Sequence, residues 1–121
     1  MRLFVYLLIL SLLFFPLVTK ASFVEGLEDI PILEDLEQIK NGNLSFGNEE
    51  IRLVETYLTS QSLDFAKVCS FYSETLPQLG WKKKQDEKNR MLFERDGETL
   101  ELSRESVNPL VVRLTVKSKI Q

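Results

Sequence analysis

The chain has 121 residues, a length that suits a single domain. It carries 15 Lys and Arg against 18 Asp and Glu, and this acidic balance argues against nucleic-acid binding, which normally uses a basic face. With no histidine and one cysteine, the composition excludes Ser-His and Cys-His catalytic pairs, histidine-bound zinc or haem, and internal disulfides. We therefore expect a domain that rests on its hydrophobic core and carries no cofactor.

The first 21 residues have the pattern of a secretory signal peptide. Arg2 gives a positive start, residues 3–18 are apolar, and Thr19 and Ala21 are small residues of the kind that precede a cleavage site. We expect cleavage after Ala21. An uncleaved membrane anchor formed by residues 3–18 is the alternative, because the run approaches the length that spans a bilayer. Both fates predict a periplasmic or secreted domain, and membrane association arises only if this segment is retained.

Residues 22–43 form an acidic lead-in to the domain. Pro31 favours an extended conformation in the residue before it. The apolar residues after Pro31 recur at helical spacing, and Asn41-Gly42 supplies a stop. These apolar residues are Ile32, Leu33, Leu36 and Ile39. We expect an extended piece followed by a short helix, and we assign the remaining residues, 44–121, to the folded domain.

The domain is predicted to begin with a β-hairpin. Gly47-Asn48 is a turn signal between a short apolar piece and a run rich in Ile, Val, Thr and Tyr. That run predicts a second strand from Ile51 to Thr59, with Leu53 and Tyr57 on one face and Leu58 on the other.

A helix is predicted from Asp64 to Leu79. Asp64 is a good N-cap, because its side-chain oxygen can accept from the free amides of the first turn. The apolar residues that follow are spaced three and four apart, which is typical of a helix that lays one face on a sheet. They are Phe65, Val68, Tyr72, Leu76 and Leu79. Cys69 widens this face as a small apolar residue, and an intermolecular disulfide is the alternative.

The stretch FYSETLPQLGW, residues 71–81, contains the signals that end this helix. Gly80 stands where a left-handed residue is needed, and glycine takes that conformation without steric cost. If Gly80 is the C′ residue, Trp81 and Leu76 are the pair that touch in a Schellman ending. Pro77 lacks an amide, so we expect a kink or a tightened last turn there. We predict a structural role for these four residues, with a binding role for Trp81 as the alternative.

The residues from Trp81 onward are predicted to form strands. WKKKQ is short and polar, Asp96-Gly97 is a two-residue hairpin turn of the mirror-image type, and Asn108-Pro109 marks another turn. In the last strand Val112, Leu114 and Val116 alternate with polar residues, which indicates a sheet covered on one side only. We therefore predict an α+β fold, with one main helix packed on a four- to five-stranded antiparallel sheet.

The lysines after Trp81 are the one basic patch of an acidic domain. Lys82 and Lys84 share a strand face and are candidates to contact an anionic partner, such as a lipid head group or a wall polymer. The competing interpretation is that these lysines protect an edge strand against aggregation.

FYSETLPQLGW, the strand before it and FERDGETLEL together resemble a group of small exported bacterial proteins of uncharacterised function. The resemblance covers roughly Asp29 to Lys117. It implies a signal peptide, a lead-in near the Asp-Ile-Pro sequence, a hairpin, one helix ending in F-Y-x-x-x-L-P-x-x-G-W, and a terminal meander. It implies no catalytic residues.

Function is predicted by elimination. The remaining catalytic options are a carboxylate pair, such as Glu94 and Glu101 across the Asp96-Gly97 hairpin, or a Ser-Lys arrangement. We expect a non-catalytic module of the bacterial cell envelope that acts by contact with an unidentified envelope protein or polymer. The alternative is a small envelope enzyme that uses such carboxylates or a Ser-Lys pair.

Overall fold

A computed structural model describes residues 22–47 and 51–119 of the chain. They form eight strands, one α-helix and one 3₁₀ turn. In chain order these are β1 (Phe23–Val24), β2 (Leu27–Pro31), β3 (Glu37–Gly47), β4 (Ile51–Ser60), α1 (Phe65–Thr75), the 3₁₀ turn (Leu76–Leu79), β5 (Lys82–Glu87), β6 (Arg90–Arg95), β7 (Glu98–Val107) and β8 (Leu110–Lys119). The predicted signal peptide lies outside the described residues.

The described strands form two antiparallel sheets. The larger has six strands in the order β3-β4-β8-β7-β6-β5, and the smaller is the β1–β2 hairpin. The strands β3 and β5 therefore form the two edges of the six-stranded sheet.

One face of the six-stranded sheet carries the core, and we call the opposite side the wet face. The core face is lined by buried residues from β4, β6, β7 and β8: Val54, Thr56, Leu58, Ser60, Met91, Phe93, Leu100, Leu102, Leu110, Val112, Leu114 and Val116. Helix α1 and the β1–β2 hairpin contribute to the same hydrophobic cluster through residues such as Val68 and Ile30. The Tyr72 hydroxyl of α1 donates to the Pro31 carbonyl at 2.7 Å, so the two covering elements are also joined to each other.

The α+β prediction was wrong, because the described chain is mostly β. The sheet has six strands rather than four or five, and a second sheet of two strands joins it. The α-helix has 11 residues and ends at Thr75, short of the predicted Leu79. Pro77 accounts for the early end, since it has no amide to continue the α-helical hydrogen bonds, and the chain tightens into a 3₁₀ turn.

Residues 22–43 contain strands where we expected a short helix. Ile30, at 0% exposed, and Leu36, at 4%, are buried in the core from β2 and from the loop before β3. The strand β3 then runs through Asn41-Gly42, and the register with β4 shifts between Ile39 and Leu44. Asn41-Gly42, which we expected to end a helix, therefore lies at an irregularity within β3, where a strand can accommodate extra residues as a bulge.

Several local predictions are confirmed. The Asp64 side chain accepts from the Lys67 amide at 2.9 Å and caps α1. Asp96 and Gly97 have φ values of 46° and 80°, as a mirror-image turn between β6 and β7 requires. The hairpin of β3 and β4 forms as expected, although residues 48–50 at its tip lie outside the described part of the chain.

Candidate contact surface

The end of the helical segment has the hydrogen bonds of a Schellman motif. The Trp81 amide donates to the Leu76 carbonyl at 3.1 Å, and the Gly80 amide donates to the Pro77 carbonyl at 3.2 Å. Gly80 has φ of 92°, the left-handed value that glycine accepts most readily. The Trp81 ring that follows is only 2% exposed, so this turn delivers an indole into the core.

Arg95, at the end of β6, covers the Trp81 ring and ties three parts of the chain together. Its guanidinium carbon lies 4.2 Å from the ring centroid, a cation–π contact. The same guanidinium donates to the Asp29 carboxylate at 2.6 Å and the Glu98 carboxylate at 3.3 Å. It also donates to the Leu79 carbonyl at 3.1 Å. One side chain thus joins the β1–β2 hairpin, the 3₁₀ turn and the β6–β7 turn.

Sequence reasoning missed Arg95. Partial burial lowers its pKa, but the hydrogen bonds that it donates to Asp29 and Glu98 outweigh that effect and raise the pKa overall. The Nη2 group of Arg95 is shared between two carboxylates while its Nη1 group binds a carbonyl, so the stacked guanidinium has charged or polar partners on both nitrogens. Asp29 and Arg95 are 66 positions apart, and the only sequence signal was an arginine next to a tight turn.

Arg95 lines two open clefts, with volumes of about 420 Å³ and 360 Å³. The first includes Lys82 and Lys84 in its lining, and the second includes Trp81 and Arg52. Of the five carboxylates that line one or both clefts, Glu94 lies 3.8 Å from Lys84, and Asp29 and Glu98 bind Arg95. These three carboxylates already bind cations of the same chain, which leaves fewer free acids in the clefts for general acid–base work.

Lys82 and Lys84 lie on β5, an edge of the six-stranded sheet. Every residue of β5 is exposed. The register with β6 shifts between Lys83 and Gln85, which makes Lys84 the extra residue of a bulge. Lys84 approaches Glu94 at 3.8 Å, and Lys83 pairs with Asp86 at 3.0 Å. The structure thus brings Lys82 and Lys84 together on a solvent-facing sheet edge. Lysines at such a position are also expected if their role is to protect the edge strand against aggregation.

Glu94 and Glu101, the carboxylates considered for catalysis, both lie on the wet face. Glu101 pairs with Arg90 at 2.9 Å and lies 3.8 Å from Arg113. Arg113 also pairs with Glu105 at 3.3 Å. Glu101 thus belongs to an ion-pair network on the wet face, whereas Glu94 lies beside Lys84 in the lining of the first cleft, so the two acids do not converge on one site.

Cys69 lies on α1, half-buried against the core. Burial raises the pKa of its thiol from 9.0 to about 11, with a further increase from Asp86 and an opposing effect from Lys83. The thiolate is the nucleophilic form, so this environment lowers the reactivity of the cysteine.

We expect iodoacetamide to alkylate Cys69 in the folded protein at pH 8 roughly 100-fold more slowly than in the unfolded protein. This factor follows from a thiol pKa that rises from 9.0 to about 11. The folded-state rate should keep increasing with pH up to about that value. The same protein in concentrated guanidinium chloride is the reference. Equal rates in the two states would show that the thiol is neither buried nor inactivated.

Within residues 22–47 and 51–119, no helix has both the length and the apolar character needed to cross a bilayer. The same part of the chain holds no group of three or more cysteine or acidic side chains arranged to bind a metal ion.

Comparisons of the chain with protein-family models, curated proteins and solved structures gave no match. The resemblance to small exported bacterial proteins therefore stays a prediction.

Proposed function

We propose that this protein is an exported, non-catalytic module of the bacterial cell envelope, and that it acts by contact through the β5 edge. The observation that carries the proposal is β5 itself. It is a sheet edge in which all six residues are exposed, with Lys82 and Lys84 on it. Export is supported by the signal-peptide pattern of residues 1–21.

We prefer contact over catalysis because the carboxylates and the thiol that could take part in a reaction are already in ion pairs or buried. The carboxylates beside Arg95 are bound to its guanidinium, and Glu101 is shared between two arginines. Burial holds the pKa of the Cys69 thiol at about 11, far above neutrality. A sheet edge, in contrast, offers backbone donors and acceptors to any extended partner.

Export is tested by cell fractionation with N-terminal sequencing of the accumulated protein. We expect a periplasmic or secreted chain that begins at Ser22. Full-length protein in the membrane fraction would support the anchor formed by residues 3–18. Cytosolic protein would contradict the proposal.

Contact through β5 is tested by affinity capture from an envelope extract, with the exported protein as bait. We expect a specific partner that is lost when Lys82 and Lys84 are both changed to Glu. Lys117→Glu is the matched control, because Lys117 is an exposed lysine on β8, away from the edge. A partner that survives the double change but is lost with Lys117→Glu would place the contact on β8 in the middle of the sheet, away from the β5 edge.

A further inference from the structure

The charges of β5 are divided between its two halves. The first half is Lys82, Lys83 and Lys84, and the last two residues are Asp86 and Glu87, with Gln85 between the halves. Charged side chains of either sign and a bulge can protect a sheet edge, but such protection does not require the two signs to lie in separate halves of the strand. The separation of the two signs therefore calls for its own explanation.

The register of β5 with β6 shows on which face each charge lies. Lys83 is opposite Phe93 and Asp86 is opposite Met91, and both of these partners are buried on the core face. Lys82 is opposite Glu94 and Glu87 is opposite Arg90, both on the wet face. The bulge produces this arrangement. Lys82 and Glu87 are five positions apart, so in a regular strand they would lie on opposite faces of the sheet, and the same holds for Lys83 and Asp86, which are three apart. The extra residue at the bulge brings the members of each pair to the same face.

The strand is thus self-complementary about its centre. When a second β5 is laid antiparallel beside the first, Lys82 faces Glu87 of the other copy and Lys83 faces Asp86. Each of these pairs joins residues on the same face of the sheet. Opposite charges directly across an antiparallel pair are stabilising, whereas like charges are destabilising. A parallel alignment in the same register would instead place lysines opposite lysines.

We propose that β5 is the interface of a symmetric homodimer, in which the β5 strands of two copies pair antiparallel and join the two six-stranded sheets into one. A twofold axis passes between Lys84 and Gln85, as an isologous interface requires. The anionic partner of the lysines is then the acidic half of the same strand in a second copy. The inference shares with the proposed function the use of β5 as the contact surface, so a second copy and an envelope partner would compete for that edge, and it requires neither export nor another partner.

The charges that would pair between copies are already close to each other within one copy. Lys83 binds Asp86 at 3.0 Å, and their side chains are 35% and 56% exposed. Each can therefore exchange this contact for the equivalent one on the second copy without leaving solvent. Because the strand has six residues, the interface is small, and we expect a weak, concentration-dependent dimer.

The test uses two charge-altered variants of the full chain, purified in the form in which the expressing cells accumulate it. Lys82→Glu with Lys83→Glu makes the strand acidic, and Asp86→Lys with Glu87→Lys makes it basic. Sedimentation equilibrium should show a monomer–dimer equilibrium for the unchanged protein and monomers for each variant alone. An equimolar mixture of the two variants should restore dimers, because residues 82 and 83 of each copy then again face residues of opposite charge at 87 and 86 of the other.

The mixing step separates loss of the interface from loss of folding, and far-UV circular dichroism checks each variant directly. Lys117→Glu, which changes an exposed lysine off the edge, should dimerise like the unchanged protein. A mixture that stays monomeric, or single variants that dimerise as well as the unchanged protein, would overturn the proposal. Failure to capture another envelope component would leave the dimer intact, so this result and failure of the proposed function are distinguishable.

Discussion

Trp81→Ala is expected to lower the free energy of unfolding by about 3–5 kcal/mol, which is typical of removing a large buried aromatic side chain. The ring is 2% exposed and lies beneath the Arg95 guanidinium, so its loss removes both apolar burial and the cation–π contact. It also leaves a cavity, whose cost adds to the lost burial to the extent that the surroundings do not collapse into it. Chemical denaturation followed by circular dichroism measures the change.

Two further substitutions at this helix end separate the contributions. The Trp81 indole Nε1 is buried and has no hydrogen-bond partner, and an unpaired buried donor is costly. Trp81→Phe removes that donor and keeps most of the ring, so it should cost much less than Trp81→Ala.

Gly80→Ala keeps the indole but strains a left-handed residue, at a cost of about 1 kcal/mol. Full stability of Trp81→Ala with loss of a binding partner would make Trp81 a binding residue instead.

Arg95→Ala is expected to destabilise the fold by about 2 kcal/mol, in the range for hydrogen bonds to charged groups at a partly exposed site. The change releases the Asp29 carboxylate and the Leu79 carbonyl, and it uncovers one face of the Trp81 ring. Arg95→Lys should recover only part of the loss, because an ammonium cannot reproduce the planar fork of the guanidinium. The measurement is the unfolding free energy of each variant.

A double-mutant cycle with Asp29→Ala isolates the link between the β1–β2 hairpin and the β6–β7 turn. We expect a coupling on the order of 1 kcal/mol between Arg95 and Asp29, because the two side chains are in direct contact. Arg52→Ala is the matched control, since Arg52 is an exposed arginine lining the same cleft. If Arg95 and Asp29 show no coupling, the contact does not hold the hairpin in solution.

The features that could be predicted from the sequence are those set by local chemistry. Asp64 caps α1 because a side-chain oxygen meets the free amides next to it. Asp96 and Gly97 form the turn because a mirror-image turn needs positive φ at both central residues, and the Asp-Gly pair accepts positive φ more readily than most pairs. Val112, Leu114 and Val116 are buried because alternate residues of a strand share a face.

The features that could not be predicted depend on contacts between distant parts of the chain. Ile32, Leu33, Leu36 and Ile39 have helical spacing, but pairing with β4 draws the last of them into β3. Arg95 acquires its role only when the fold brings Asp29 beside it, 66 positions away. Lys82 and Lys84 could be assigned to a strand, but their place on an edge follows from the strand order, which the pattern does not encode.

The most direct measurement of the central claim is amide hydrogen exchange along β5 at increasing protein concentration. The amides of residues 82–87 that are not bonded to β6 should exchange quickly at low concentration and become protected as dimers form. The other edge strand, β3, is the internal control and should not change. We predict that the protection of β5 is absent in the variant with Lys82→Glu and Lys83→Glu. Exchange at β5 that stays fast at every concentration, with protection appearing at another surface, would contradict the assignment of β5 as the contact edge.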